Sequence, residues 1–176
     1  DYQSRTLAHK SLYALDNLWD GLGALILDNH HLKFLFGKVT MYPHFNQKAR
    51  NMILYFLKRH FGDPDKLVVP LEPADIDIKE DEMKKIFRGW RYKDNYKILS
   101  REVRNLNETI PPLINAYMNL SPTMRTFGTF INHKFGNVEE TGIMITLRDI
   151  YIEKINRHLA SYKKDFLITW FSHKDQ

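Results

Sequence analysis

The chain of 176 residues contains no cysteine. That excludes a disulfide scaffold, a thiolate metal centre and a cysteine nucleophile, and it fits a reducing compartment. Long apolar runs are missing as well. The longest stretch without a charge, Thr109 to Met124, covers 16 residues and is broken by Pro111, Pro112, Asn115, Asn119 and Pro122. A membrane-spanning helix takes about 20 apolar residues, and no run of amphipathic strands of barrel length is present either. The opening residues DYQSRTLAHK carry neither a signal-peptide pattern nor an initiator Met, so the expectation is a processed chain or a piece of a longer one.

Signatures of familiar chemistry are also sparse. The eight histidines are scattered, with no His-x-x-x-His pair on a helix beside a glutamate, and no metal is expected. No Gly-x-Ser-x-Gly elbow occurs. The acidic run Asp75, Asp77, Glu80, Asp81 and Glu82 lacks the glycine and final glutamate of an EF-hand; it reads as a solvated loop and helix start, where acids are favoured. No basic tail and no ribonucleoprotein motif is found. The 26 lysines and arginines are interspersed with 21 acids, as in KEDEMKK and REVRNLNE. The net charge of +5 and pI near 9.3 permit an acidic partner, but the dispersal argues against nucleic acid.

What is present is a globular composition: 43% hydrophobic and 27% charged residues, with 13% aromatic. That suits one domain of ordinary size with a ring-rich core. Apolar spacing of three and four predicts a helix over Leu7–Asp28, capped by Ser4 or Thr6. LKFLFGKVTM (Leu32–Met41) reads as a largely buried strand. A second helix is expected over Asn46–Phe61, with apolar face Ala49, Met52, Ile53, Phe56 and Leu57, ended by Gly62, Asp63 and Pro64. Leu67–Ile78 reads as extended and irregular. Short helices are expected over Glu80–Phe87, Asn95–Leu106 and Pro112–Leu120. Strands over Thr126–Phe135 and Thr141–Leu147, joined through Gly136, Asn137, Glu139 and Glu140, read as an antiparallel hairpin. A helix over Asp149–Tyr162, capped by Asp149, and the apolar tail FLITWF (Phe166–Phe171) complete an α+β order.

One local feature suggests ligand chemistry. A polar stretch runs directly into the first long helix, whose free N–H groups favour an anion. Ser4, Arg5, Thr6, Leu7, Ala8, His9 and Lys10 are therefore the candidate anion-binding residues, with three basic side chains among them.

Three blocks carry a resemblance. They are QSRTLAHKSLYALDNLWDGLGALI, then FLFGKVTM, then IPPLINAYMNLSPTMRTFGTFINHKFGNVEETGIMITL, the most specific, with its Pro-Pro-Leu-Ile-x-x-Tyr and His-x-Phe-x-Asn turn. Together they resemble the bacterial proteins labelled hemolysins, better described as N-acyltransferases of the ornithine-lipid and glycine-lipid synthase type. These are GNAT-like and lie near the acyl-homoserine-lactone synthases. The resemblance covers nearly the whole chain and is weakest over the 63–107 insert.

The resemblance implies the C-terminal part of a GNAT-like acyl-CoA N-acyltransferase fold, a mixed sheet flanked by helices with a helical insert. Its parts would be 1–62 (phosphopantetheine-side helix, strand and helix), 63–122 (insert) and 123–176 (hairpin, helix and tail). It implies transfer of a (3-hydroxy)fatty acyl chain from the phosphopantetheine thioester of acyl carrier protein, or from acyl-CoA, to the α-amine of an amino acid of glycine or ornithine type. The product would be a lyso-aminolipid. Ser4–Lys10 would then hold the phosphopantetheine phosphate, although SRTLA lacks the glycines of the family's usual cradle. The catalytic acid is expected upstream of Asp1; His133, in FINHKFG, is the resident polar candidate. Acyl carrier protein would dock on Arg5, His9, Lys10, Lys48 and Arg50. Further expectations are a cytoplasmic location, peripheral contact with the inner membrane face through Asp149–Tyr162, Lys163, Lys164 and FLITWF, and a homodimer formed at an unpaired sheet edge. A non-enzymatic membrane-active or lipid-binding protein, as the hemolysin label suggests, stays open as the alternative.

Overall fold

The computed structural model describes residues 19–29 and 31–159. Ser4–Lys10, the first part of the helix expected over Leu7–Asp28, and the tail with Lys163, Lys164 and FLITWF lie outside the described residues. The chain divides into two compact units, 1–34 with 146–176, and 35–145.

In the first unit, residues 19–28 are helical (α1). Asn29 ends this helix by donating its side-chain amide to the Leu25 carbonyl at 2.8 Å. The Leu147 amide donates to the Lys33 carbonyl at 2.9 Å. A 3-10 turn follows over Leu147–Asp149, then helix α6 over Ile152–Leu159. The helix therefore begins three residues later than expected, and Asp149 is spent in the turn before it. Among the described residues of this unit, Ile26, Leu147, Ile150 and Ile155 are the buried apolar ones.

The second unit is built on a three-stranded sheet in the order β1-β3-β2. Its strands are β1 (Phe34–Met41), β2 (Arg125–Asn132) and β3 (Val138–Thr146). The fold class is α+β, as the residue pattern predicts. β2 and β3 pair antiparallel, from Arg125 opposite Met144 to Asn132 opposite Val138. The hairpin turn is a 3-10 turn, His133–Phe135, followed by Gly136 and Asn137 at φ 67° and 56°. Asn and Gly tolerate this left-handed region better than other residues.

Two strand expectations are corrected. β1 is not largely buried: Val39 and Met41 are, but Phe34 and Phe36 are exposed, Phe36 at 63%. Apolar composition marked the strand but not its two-sided environment. Glu139 and Glu140 belong to β3 rather than to the turn, because each finds a cation on a neighbouring element.

Helix α2 (Gln47–Phe61) is the centre of the core. Asn46 caps it by accepting from the Lys48 and Ala49 amides, at 3.0 and 3.2 Å. Ala49, Met52, Ile53, Phe56 and Leu57, spaced by three and four, are all 1% exposed or less, and burial of each large apolar side chain among them stabilises by about 1.5–3 kcal/mol. α2 packs on α3 (Glu80–Ile86), α4 (Tyr92–Asn105) and β2. The α2–α4 contact is aromatic, with Phe56 against Tyr92 at 5.5 Å and against Tyr96 at 6.3 Å between ring centres. The Tyr96 hydroxyl donates to Asn115 Oδ1 at 2.6 Å, linking α4 to α5 (Pro112–Met118).

Candidate functional site

Past α2 the chain makes a tight polar turn that the sequence GDPDK dictates. Asp63 Oδ2 accepts the Leu67 amide at 2.5 Å, and its Oδ1 accepts from Arg125 Nη1 at 2.8 Å. Arg125, the first residue of β2, also binds Asp65. Desolvation pulls the Asp63 pKa up, but the Arg125 hydrogen bond, the Leu67 and Val68 amides and the Arg125 charge outweigh it, leaving the pKa below its ordinary value. Lys66 completes the turn at φ 51°.

From this turn residues 67–79 run as an extended strap without helix or strand. Two contacts fix the turn and the strap against the free edge of β2. Gly62 forms a parallel bridge with Thr126, and the Ala74 amide donates to the Thr129 carbonyl at 2.8 Å. Between those points β2 is irregular: two residues separate Thr126 from Thr129, while one separates their partners Ile143 and Thr141. The extra residue makes a β-bulge at Phe127–Gly128, a device that re-aims side chains. From Ala74 to Ile78 exposure alternates, with Ala74, Ile76 and Ile78 turned partly inward and Asp75 and Asp77 exposed.

Strap, bulge and α2 border a cavity of about 530 Å³ that is open to solvent on one side. Leu54 and Leu57 form its α2 wall, Phe127, Gly128, Thr129 and Thr141 its sheet wall, and Val68–Pro70 with Pro73, Ala74, Ile76 and Ile78 its cover. The lining is predominantly apolar. Lys58, Asp63 and Lys66 also border it; Lys58 pairs with Glu80 at 3.0 Å, and Asp63 is held by Arg125. The Thr129 and Thr141 hydroxyls satisfy one another at 2.7 Å.

Two ion pairs brace the sheet beside this site. Arg50 of α2 binds Glu139, and Lys38 of β1 binds Glu140, whose side chain is 2% exposed, with both oxygens at 2.7 Å. Arg50 is thus engaged inside the fold rather than offered to a partner, while Lys48 is exposed. His133 is exposed in the hairpin turn, bonded through Nδ1 to Asn137 Oδ1 at 2.8 Å, and does not border the cavity. The strand expected to carry it ends at Asn132. Ser4, Arg5, Thr6, Leu7, Ala8, His9 and Lys10 lie outside the described residues. Among the described residues, no group of three or more His, Asp or Glu side chains is placed to hold a metal ion, and no helix is long and apolar enough to cross a membrane.

The chain is 52% identical over 164 residues to a protein of Phocaeicola vulgatus named glycine N(alpha)-acyltransferase, a match covering 93% of this chain and 50% of that protein. A protein of the same name from Bacteroides thetaiotaomicron is 52% identical over 162 residues, 92% of this chain and 48% of that protein. This chain is a homologue of proteins named glycine N(alpha)-acyltransferase. The resemblance carried by the three sequence blocks leads to the same group of proteins. The chain spans about half the length of these curated relatives. No family model and no solved structure matches it.

The cavity escaped the sequence reading, which left Leu67–Ile78 irregular. A signal was available in Ala74-Asp-Ile-Asp-Ile78, whose period of two marks an extended segment with one apolar face.

Proposed function

We propose that this chain is part of an N-acyltransferase that moves a fatty acyl group from the phosphopantetheine thioester of acyl carrier protein to the α-amine of glycine. The observation that carries this reading is the 52% identity, along more than nine-tenths of the chain, to proteins named for glycine N-acylation. The amine nitrogen, freed of its extra proton, attacks the thioester carbonyl carbon. The tetrahedral adduct collapses, the C–S bond breaks, and the amide and the carrier's thiol are released; the thiol keeps a proton. Holding the amine against the thioester carbonyl supplies much of the rate, and donors aimed at the developing oxyanion supply more. In this reading Ser4–Lys10 bind the phosphopantetheine phosphate, the catalytic acid lies upstream of Asp1, and the acidic carrier docks near Arg5, His9, Lys10 and Lys48. The product is a lyso-aminolipid released at the cytoplasmic membrane face.

The test is mass spectrometry of the full-length gene product mixed with long-chain acyl carrier protein and, separately, glycine, ornithine or serine. N-acylglycine formed in preference to the other two products supports the proposal. A thioester that stays intact with every amine overturns it.

A further inference from the structure

We infer that the cavity under the 67–78 strap is the seat of a long acyl chain, and that the contact between Gly128 and Pro70 sets how the strap closes over it. This inference rests on the acyltransferase reading and adds to it the place in this chain where the fatty acyl group would lie.

Four observations carry it. First, the volume of about 530 Å³ falls within the range of about 300–1,000 Å³ typical of ligand sites. An acetyl group would leave such a space almost empty. Second, the walls are of the right chemistry: Leu54, Leu57, Ile76, Ile78 and Phe127 face it, and of the three charged groups at its border Lys58 and Asp63 have partners within the protein while Lys66 is exposed to solvent. An unbranched apolar chain asks for nothing more than apolar surface. Third, the strap presents apolar residues to the outside as well. Leu67, Val69 and Leu71 are exposed, Leu71 fully, next to Val68, Val69 and Pro70 on the cavity cover. An apolar lip continuous with an apolar cavity is an entry path for a chain arriving from solvent or carrier. Fourth, the cover is seated directly on the bulge at one place. A Cβ on Gly128 would come 2.7 Å from Pro70 Cδ and Cγ, so only glycine lets the strap lie this close to the bulge.

The probe is a photoactivatable palmitic acid with its reactive group near the chain end, applied to the full-length protein and followed by mass spectrometry of labelled peptides. Label within residues 54–78 and 126–129, displaced by palmitate and not by acetate, is the expected result. In direct titrations, Ala74→Phe, which places a ring in the cavity, weakens palmitate at least tenfold and octanoate much less. Gly128→Ala, which pushes the strap off the bulge, changes the ratio of palmitate to octanoate affinity and carries the same test should Ala74→Phe fail to fold.

Label confined to other segments, or equal palmitate affinity in wild type and both variants, overturns the inference. Turnover with glycine separates it from the reading beneath it. Turnover whose chain-length preference neither variant alters leaves the acyltransferase reading standing and removes the cavity assignment. Palmitate held in the cavity without turnover of any amine supports the cavity and removes the acyltransferase.

Discussion

His60 is held as a neutral acceptor. Its ring lies 4.6 Å from that of Phe56, and its Nε2 faces the amide nitrogen of Asn95 at 3.3 Å. That nitrogen can only donate, so Nε2 accepts and the proton sits on Nδ1. Asn95 is fully buried and also bonds both the amide and the carbonyl of Gly89, each at 3.0 Å. Burial, then the neighbouring Arg59 charge, lowers the His60 pKa from its ordinary 6.5. The unfolded chain therefore takes up the proton first as pH falls. The stability that neutral His60 provides is intact above its ordinary pKa and is lost as pH drops through the lower folded value. Urea midpoints at about pH 7.5 and about pH 5.5 should fall more for wild type than for His60→Gln; an identical fall in both would remove this account. Asn95→Ala, which strands the Gly89 groups, should cost about 1–3 kcal/mol in the same assay.

Glu140 is the other residue whose surroundings decide its effect. Its carboxylate is buried on β3 and meets the half-exposed Lys38. Removing the cation leaves a buried charge without compensation, so Lys38→Met should lose about 3 kcal/mol, the low end for such breaks because Lys38 reaches solvent. The double variant Lys38→Met with Glu140→Leu should recover most of it. No recovery would mean that packing, rather than charge, sets the loss. Glu139 and Glu140 were unreadable as strand residues because two adjacent acids favour solvent unless each has a cation. Lys38 and Arg50, their partners, are 102 and 89 residues distant in sequence.

At the scale of elements, α2 and the β2–β3 hairpin were legible because their patterns are local: a period of 3.6 behind an Asn cap, and a Gly-Asn turn between β-branched runs. The strap was not, since an extended segment with two prolines, Pro70 and Pro73, has no intrinsic signature and takes its shape from the edge of β2. Arg125 is the residue that ties it there, through Asp63 and Asp65. Arg125→Met should speed amide exchange at Leu67 and Ala74 by at least tenfold while leaving α2 unchanged. Uniform speeding across α2 and the strap would mean that Arg125 holds the whole fold rather than this segment. The end of α2 is equally exacting. A Cβ on Gly62 would lie 2.4 Å from the Lys58 carbonyl oxygen, so Gly62→Ala should cost about 2 kcal/mol in thermal unfolding. A loss near zero would show that the backbone yields there.

For the whole molecule, sequence gave the α+β class and the resemblance, while the place where a substrate would sit came from geometry. On the proposed reading, the cavity under the strap would hold the acyl tail of the donor. The most direct measurement gives the full-length protein a mixture of acyl carrier proteins bearing short and long chains, with glycine, and weighs the N-acylglycines formed. The account predicts long-chain N-acylglycine from wild type and a shift to shorter chains in Ala74→Phe. N-acylglycines of the same chain length from both proteins, or none from wild type, would contradict it.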